Sequence, residues 1–167
     1  MCRSRQSLDR MQPFLRAAEP SDAEHVAEVL MESREAFMPY APSAHSEAEV
    51  RHWVREVLLP TTQTTVAVVA GAVVGVIAVS TEQCESWVEQ LYVRPAHAGQ
   101  GIGSKLLAHA LAAATGVVRL STFQQNAGSR RLYERHGFVA IKFTDGSTNE
   151  ERCPDVLYEL VLPPRAV

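Results

Sequence analysis

The sequence predicts a single domain of mixed α/β class. Three observations carry that expectation. The chain has 167 residues, the size of one hydrophobic core. β-branched runs alternate with stretches whose apolar residues recur at helical spacing. These segments follow the order strand, two helices, three strands, helix, strand, helix, two strands, without an internal repeat or linker. The domain is expected over residues 13–163, behind a flexible N-terminal tail of residues 1–12. That tail carries Arg3, Arg5 and Arg10 without an apolar segment to follow them, so it lacks the hydrophobic part of a signal peptide. Met11 stands just before the first strand-like segment and offers a later translation start.

Residues 14–18 read as a short strand. Ser21 with Glu24 three residues on has the form of a capping box, and Val26, Val29 and Leu30 make the buried stripe of the helix it opens. Residues 38–43 hold Pro39 and Pro42 and separate that helix from a second. Ser46 with Glu49 repeats the box, and Val50, Trp53, Val54, Val57 and Leu58 recur at helical spacing until Pro60, which is expected to stop the helix. Residues 64–80 are mostly β-branched, with Gly71 where a tight turn belongs, and predict a hairpin. A polar loop is expected through Thr81 and Glu85, then a strand over 87–94 ended by Pro95. Residues 102–115 form a helix with Leu106, Leu107, Ala110, Leu111 and Ala114 on one face and Gly116 at its close. A strand over 117–122, a helix over 127–136 and strands over 139–144 and 156–161 complete the chain.

Composition excludes several classes of function. Sixteen Lys and Arg against nineteen Asp and Glu give a net charge of −3 without long charged runs, which argues against binding nucleic acid through phosphate contacts. The longest apolar stretch, residues 66–79, is interrupted by Gly71 and Gly75 and is too short to span a membrane. Cys2, Cys84 and Cys153 are far apart and show no zinc-ligand spacing, so reduced thiols in a cytoplasm are expected. Six histidines without paired Cys or carboxylate partners predict no metal. Cys84 precedes a central strand and invites a nucleophile reading, but lacks a base partner, so an ordinary thiol is expected.

The chemistry is concentrated in residues 91–104, Leu-Tyr-Val-Arg-Pro-Ala-His-Ala-Gly-Gln-Gly-Ile-Gly-Ser. Gly99, Gly101 and Gly103 alternate between a strand and a helix. Such a loop lets backbone N–H groups converge at a helix N-terminus, where the dipole favours a phosphate and no side chain obstructs it. The bland alternative is a tight turn with close helix packing. A Walker loop fails on spacing, because counting from Gly99 puts Ser104 in place of the second glycine. A dinucleotide fingerprint is weak: the loop lies mid-chain, Ser104 replaces the third glycine, and the next strand carries no carboxylate.

A second segment follows at close range: Asn126 at a helix start, Tyr133 about two turns on, and Gly137-Phe138 as its exit. Together the two segments resemble the GNAT superfamily of acyl-CoA-dependent N-acyltransferases, whose pattern [QR]xxGxG[GA] is followed by NxxAxxxYxxxGF. The resemblance covers residues 87–138 strongly and extends by element order over 14–160. Ala98 stands where the family has Gln or Arg.

The resemblance implies a central, mostly antiparallel mixed sheet flanked by helices, with the cofactor between strands around Val93 and Leu120. It implies acetyl-CoA as cofactor, with pantetheine along Leu91, Tyr92 and Val93. The diphosphate would lie on Ala98, Gly99, Gln100, Gly101, Ile102, Gly103 and Ser104, with Asn126, Ser129 and Tyr133 beside it. Val93 N–H would polarise the thioester carbonyl, and Tyr133, a phenol protonated at neutral pH, would donate a proton to the departing thiolate. Asn126 has an equally plain role as helix N-cap. Lys105, Arg130, Arg131 and Arg135 are candidates for a 3′-phosphate, or solvated helix charges.

Strand alternation places Trp87, Glu89, Leu91 and Val93 on one face. Glu89 is therefore either the base for the attacking amine or a partly exposed strand carboxylate. Arg34, Phe37, Met38 and Tyr40 are expected to form an acceptor wall. The loop 144–155 carries four carboxylates and reads as a solvated acidic hairpin, though Glu82 and Glu85 or this loop would also attract a cationic acceptor. The expected activity is transfer of acetyl to a primary amine, of a small molecule or a peptide, by direct attack in a ternary complex; a homodimer accords with the family. Two rivals stand beside it: a noncatalytic acyl-CoA sensor on the same fold, and an NAD(P)-binding oxidoreductase using the glycine loop.

Overall fold

A computed structural model describes residues 12–164. The expected N-terminal tail, with Cys2 and the start at Met11, lies outside the described residues apart from Gln12. Strand β1, Phe14–Ala17, leads through a 3₁₀ turn into helix α1, Ala23–Phe37. The capping box expected at Ser21 and Glu24 does not form. Pro20 opens the turn one residue earlier, and the Asp22 carboxylate accepts from the Glu19 N–H at 2.7 Å while Arg16 pairs with it at 2.7 Å. Helix α2 begins at Glu47–Trp53, capped by Ser46 and Glu49 as expected. It passes through a π-helical turn, Val54–Leu58, into a last turn, Leu59–Thr61. Pro60 therefore does not stop it. Proline has no N–H and crowds the carbonyl four residues back, and the widened turn, in which the Leu59 N–H reaches the Val54 carbonyl, accommodates it. The same change of pitch leaves Val57 exposed.

Strands β2, Gln63–Val69, and β3, Ala72–Glu82, form the expected hairpin, and β4, Glu85–Val93, pairs with β3 along its whole length. The polar loop expected through Thr81 and Glu85 is instead ladder, with the turn tightened to Gln83 and Cys84. Helix α3, Ile102–Ala113, precedes β5, Val117–Phe123; helix α4, Ala127–Arg135, precedes β6, Val139–Phe143, and β7, Asp155–Val161. The sheet order is β1-β2-β3-β4-β5-β7-β6, antiparallel everywhere except between β4 and β5. This is the mixed, mostly antiparallel sheet that was expected.

Two cores hold the layers together. Val26, Val29 and Leu30 of α1 and Val54 and Leu58 of α2 pack on one face, over Val66, Val68, Val73, Val76 and Ala78. Ile102, Leu106 and Leu107 of α3 and Tyr133 of α4 pack on the other, over Ile77, Val79, Val118, Leu120 and Tyr158. Gly75 sets how closely α3 approaches: a Cβ there would stand 3.1 Å from both Ile102 and Leu106. Among the described residues no helix is long and apolar enough to cross a membrane.

Candidate active site

The one parallel pairing in the sheet is also its shortest. β4 and β5 are hydrogen-bonded only from Glu85 to Trp87 against Val117 to Arg119. Beyond that point they part, and a cavity of about 750 Å³ opens between them, reaching from the end of α1 to the first turns of α3 and α4. On the β5 side it is lined by Ser121, Thr122 and Phe123. Leu120, earlier on the same strand, is fully buried in the core.

The β4 wall is shaped by a bulge. Ala78 faces Gln90 and Val79 faces Val88, so Glu89 is an extra residue with no partner across the ladder. The bulge resets the alternation: Val88, Leu91 and Val93 share the α3 face, and Trp87 does not join them as expected. Glu89 lines the cavity but is exposed, and accepts a hydrogen bond from the Ser80 hydroxyl. It is thus not the carboxylate on an apolar face that alternation suggested. Further along, the Arg94 N–H donates to the Val74 carbonyl at 2.8 Å. Alternation of the antiparallel ladder then ties the main chain of Tyr92 to Val76 and turns the N–H and C=O of Leu91 and Val93 away from β3, toward the gap. Tyr92 lines the cavity through its side chain, on the α1 face.

At the cavity's far end, Gly99 and Gly101 adopt φ of +73° and +80°. These left-handed conformations strain any residue with a Cβ, and at both positions the space a Cβ would enter is open. The N–H groups of Ile102, Gly103 and Ser104 have no intrahelical acceptor, since the first i to i−4 bond of α3 runs from Lys105 to Gly101 at 3.0 Å. Ala98, Gly99, Gly101, Ile102, Gly103 and Ser104 all line the cavity; Gln100 does not, its amide turned back toward the Ala96 carbonyl. Ser104 meets His136 Nε2 at 3.1 Å, while His136 Nδ1 lies 2.9 Å from the Leu132 carbonyl, so this imidazole ties the start of α3 to the end of α4.

Helix α4 contributes Asn126, Ser129, Tyr133 and Arg135. Asn126 is its N-cap, accepting from the Ser129 N–H at 3.1 Å. Tyr133 is buried, with Phe138 and Tyr158 packed against its ring, and its hydroxyl has no hydrogen-bond partner among the described residues. Burial, reinforced by the neighbouring Tyr92, pushes its phenol well above the usual range. Arg130 turns away from the cavity, bound to the Tyr158 hydroxyl at 3.0 Å and stacked on Phe143, which leaves Arg135 as the cavity-lining cation of α4. Cys84 sits exposed in the β3–β4 turn and does not line the cavity.

The opposite wall is built from side chains. Arg34, Phe37 and Met38 line the cavity as expected, whereas Tyr40 packs edge-on against Phe123 from behind. The loop 144–155 is not a solvated hairpin. Asn149 binds both the carbonyl and the N–H of Cys153, at 2.7 and 3.1 Å, and Gly146 lies so close to Cys153 that a Cβ would stand 2.3 Å from its backbone. This folding brings Glu151 onto Arg34 at 2.8 Å, with both half-buried in the cavity wall. Gln125 and the Ser121–Phe123 edge were not anticipated as lining, and Glu151 was read only as one of the loop's four carboxylates. The run of carboxylates was visible, but a contact across 117 positions left no local signal. Among the described residues no cluster of three or more His, Cys, Asp or Glu could hold a metal ion.

Comparison with known proteins agrees with this architecture. The PaiA N-acetyltransferase of Thermoplasma acidophilum, solved with coenzyme A, superposes with a TM-score of 0.74 at 22% identity, over 91% of this chain and 100% of that one. The yncA putative acetyltransferase of Salmonella typhimurium, solved with acetyl-CoA, gives 0.70 at 21% identity over 93% and 97%. The ribosomal-protein-S18-alanine N-acetyltransferase of Escherichia coli gives 0.69 at 18% over 93% and 97%. At these identities the likeness is one of fold. No curated protein matches the chain. The family model of the GNAT acetyltransferases matches residues 27–138, about two thirds of the chain, and the chain therefore belongs to the GNAT acetyltransferase family.

Proposed function

We propose that this protein transfers the acetyl group of acetyl-CoA to a primary amine by direct attack in a ternary complex. One observation carries the proposal: a single cavity joins a main-chain cradle suited to pantetheine and diphosphate to a buried, unpartnered phenol. The fit of acetyl-CoA rests on this chain's own groups. Leu91 and Val93 turn main-chain donors and acceptors into the gap, and three free N–H groups at the start of α3 face a loop without side-chain obstruction. The bound cofactor would supply an activated acyl thioester.

In this scheme the Val93 N–H donates to the acyl carbonyl oxygen, a fixed dipole that needs no reorganisation. Tyr133 holds a proton throughout the neutral range, because burial raises its phenol, and gives it to the departing sulfur. A primary amine at its ordinary pKa is free in only about one molecule in 2,500 at pH 7, a cost of about 4.6 kcal/mol. Glu89, at the bulge and open to the cavity, takes the amine's proton directly or through one water. The Gly99–Gly103 cradle follows the fourth strand and enters no dinucleotide arrangement, which speaks against the NAD(P) alternative.

The test is thermal unfolding with acetyl-CoA and, in parallel, NAD(P). At 100 times its Kd a ligand adds about 2.7 kcal/mol, which raises Tm by roughly 5 to 10 °C for a domain of this size. A shift with acetyl-CoA alone, followed by amine-dependent release of CoA, is the expected result. A shift without turnover for any amine would establish the sensor instead, and no shift would overturn the proposal.

A further inference from the structure

A second cavity, of about 760 Å³, adjoins the first on the α1 face of the sheet. Its apolar lining comes from Leu30, Met31, Met38, Pro39, Val50 and Trp53, and its charged lining is predominantly acidic: Glu35, Glu47, Glu49, Glu150 and Glu151 against Arg34 and His45. Both of these basic side chains are already engaged, Arg34 with Glu151 and His45 with Glu150, each at 2.8 Å. Arg34, Met38 and Glu151 belong to both cavities. At the β4 bulge the consecutive residues Glu89 and Gln90 face one cavity each, Glu89 the first and Gln90 the second. Glu151 binds Arg34 through Oε1, and its Oε2 has no partner among the described residues.

We infer that this second cavity holds the body of the acetyl acceptor, and that the acceptor is an amine with an apolar spacer and a second positive charge at its far end. The inference rests on the N-acetyltransferase proposal above and adds the class of substrate. The reacting ammonium passes the free Glu151 oxygen at the junction and reaches Glu89. The spacer lies on Met31, Met38 and Trp53, where burial of methylenes is favourable. The distal cation meets the carboxylate-rich rim, where, among the described residues, Glu35 has no ion-pair partner and Glu47 has only a 3.8 Å contact to Arg51. An acceptor with a distal carboxylate would face repulsion there, and a polyhydroxylated amine would leave the apolar wall unmatched.

The probes are 1,8-diaminooctane, octylamine, glucosamine and 6-aminohexanoate. Binding is read separately from turnover: Trp53 and Trp87 are the two tryptophans, so a Trp87→Phe protein reports occupancy of the cavity through Trp53 fluorescence. The diamine is expected to saturate this signal at lower concentration than octylamine, and to be acetylated with a kcat/KM at least tenfold above octylamine and a hundredfold above the other two. Glu35→Gln with Glu47→Gln should erase most of the diamine's advantage over octylamine while leaving acetyl-CoA affinity unchanged. Glucosamine or 6-aminohexanoate turning over as well as the diamine would overturn the substrate class, as would a double variant that treats diamine and octylamine as the wild type does. Diamine binding at Trp53 without acetyl transfer would keep the cavity assignment and sink the transferase proposal, so the two failures are distinguishable.

Discussion

The two walls of the central cavity are made of different material. The wall formed by β4, the glycine loop and the start of α3 presents main-chain groups, held by the sheet ladder and by helix geometry. The wall formed by the end of α1 and the loop 144–155 presents side chains, held by the Arg34–Glu151 ion pair and by ring contacts. A main-chain wall can change its residues without changing its donors, whereas each substitution in a side-chain wall changes what it recognises. The first suits a cofactor shared by many proteins and the second an acceptor particular to one. Variants on each wall should therefore separate cofactor affinity from acceptor specificity.

The largest effect is expected where the walls meet. Tyr133→Phe keeps the ring contacts to Phe138 and Tyr158 and removes one hydroxyl. It should lower kcat by about 10²- to 10⁴-fold, the range for general acid catalysis, with acetyl-CoA affinity within about twofold by calorimetry. An unchanged kcat would remove Tyr133 from the chemistry. The sign of the pH dependence follows from the raised phenol: in the proposed mechanism the acid form is the active one, and burial keeps it populated above the ordinary phenol range. An alkaline limb in kcat near pH 8 to 9 would then belong to another group, and it should persist in the residual activity of Tyr133→Phe.

Glu89→Gln comes next, with an expected loss of about ten- to a hundredfold in kcat/KM for the amine. The loss is smaller than for Tyr133 because Glu89 is exposed and water can partly replace it. If it acts as base, raising the pH should rescue the variant relative to wild type, since more of the amine arrives unprotonated. A pH-independent loss would assign Glu89 to positioning instead.

What was legible in the sequence divides along the same line as the two walls. The glycine loop, the N-cap Asn126 and the buried Tyr133 could be read because main-chain geometry and helix capping are local properties, written within a few residues of where they act. The order of elements was legible for the same reason. The bulge at Glu89 was not, because it arises from a mismatch with Ala78 and Val79 in a neighbouring strand, and it reversed the face assigned to Trp87. Glu151 was misjudged as solvated because its partner, Arg34, lies in the first helix. The stop expected at Pro60 failed because a π-helical turn absorbed the proline.

On the side-chain wall, Arg34→Met keeps much of the side chain's bulk and removes the charge. It frees Glu151 to pair with the cationic acceptor in Arg34's place, which should lower the acceptor KM several-fold, since the carboxylate then faces no competing guanidinium. Acetyl-CoA affinity should hold within about twofold in the same titration. Equal changes for both ligands would mean that the walls are not separable.

The smallest and sharpest contrast lies within the main-chain wall, between two glycines two residues apart. Gly101 sits at φ +80°, so Gly101→Ala should cost about 1–2 kcal/mol of stability through backbone strain. Gly103 is helical, and a Cβ there would make ordinary contacts, 3.5 Å to Leu132 and 3.8 Å to Val93. Gly103→Ala should therefore stabilise the fold by up to about 1 kcal/mol, since alanine loses less backbone freedom in a helix. Its methyl, however, lies between α3 and the strand edge at Val93, on the path proposed for pantetheine. The expected result is a Gly103→Ala protein that melts higher and binds acetyl-CoA more weakly, and a Gly101→Ala protein that melts lower. A Gly103→Ala protein that gains stability and binds acetyl-CoA as the wild type does would move that path away from the α3–β4 junction, and leave the helix N-terminus as the part of the wall that the cofactor touches.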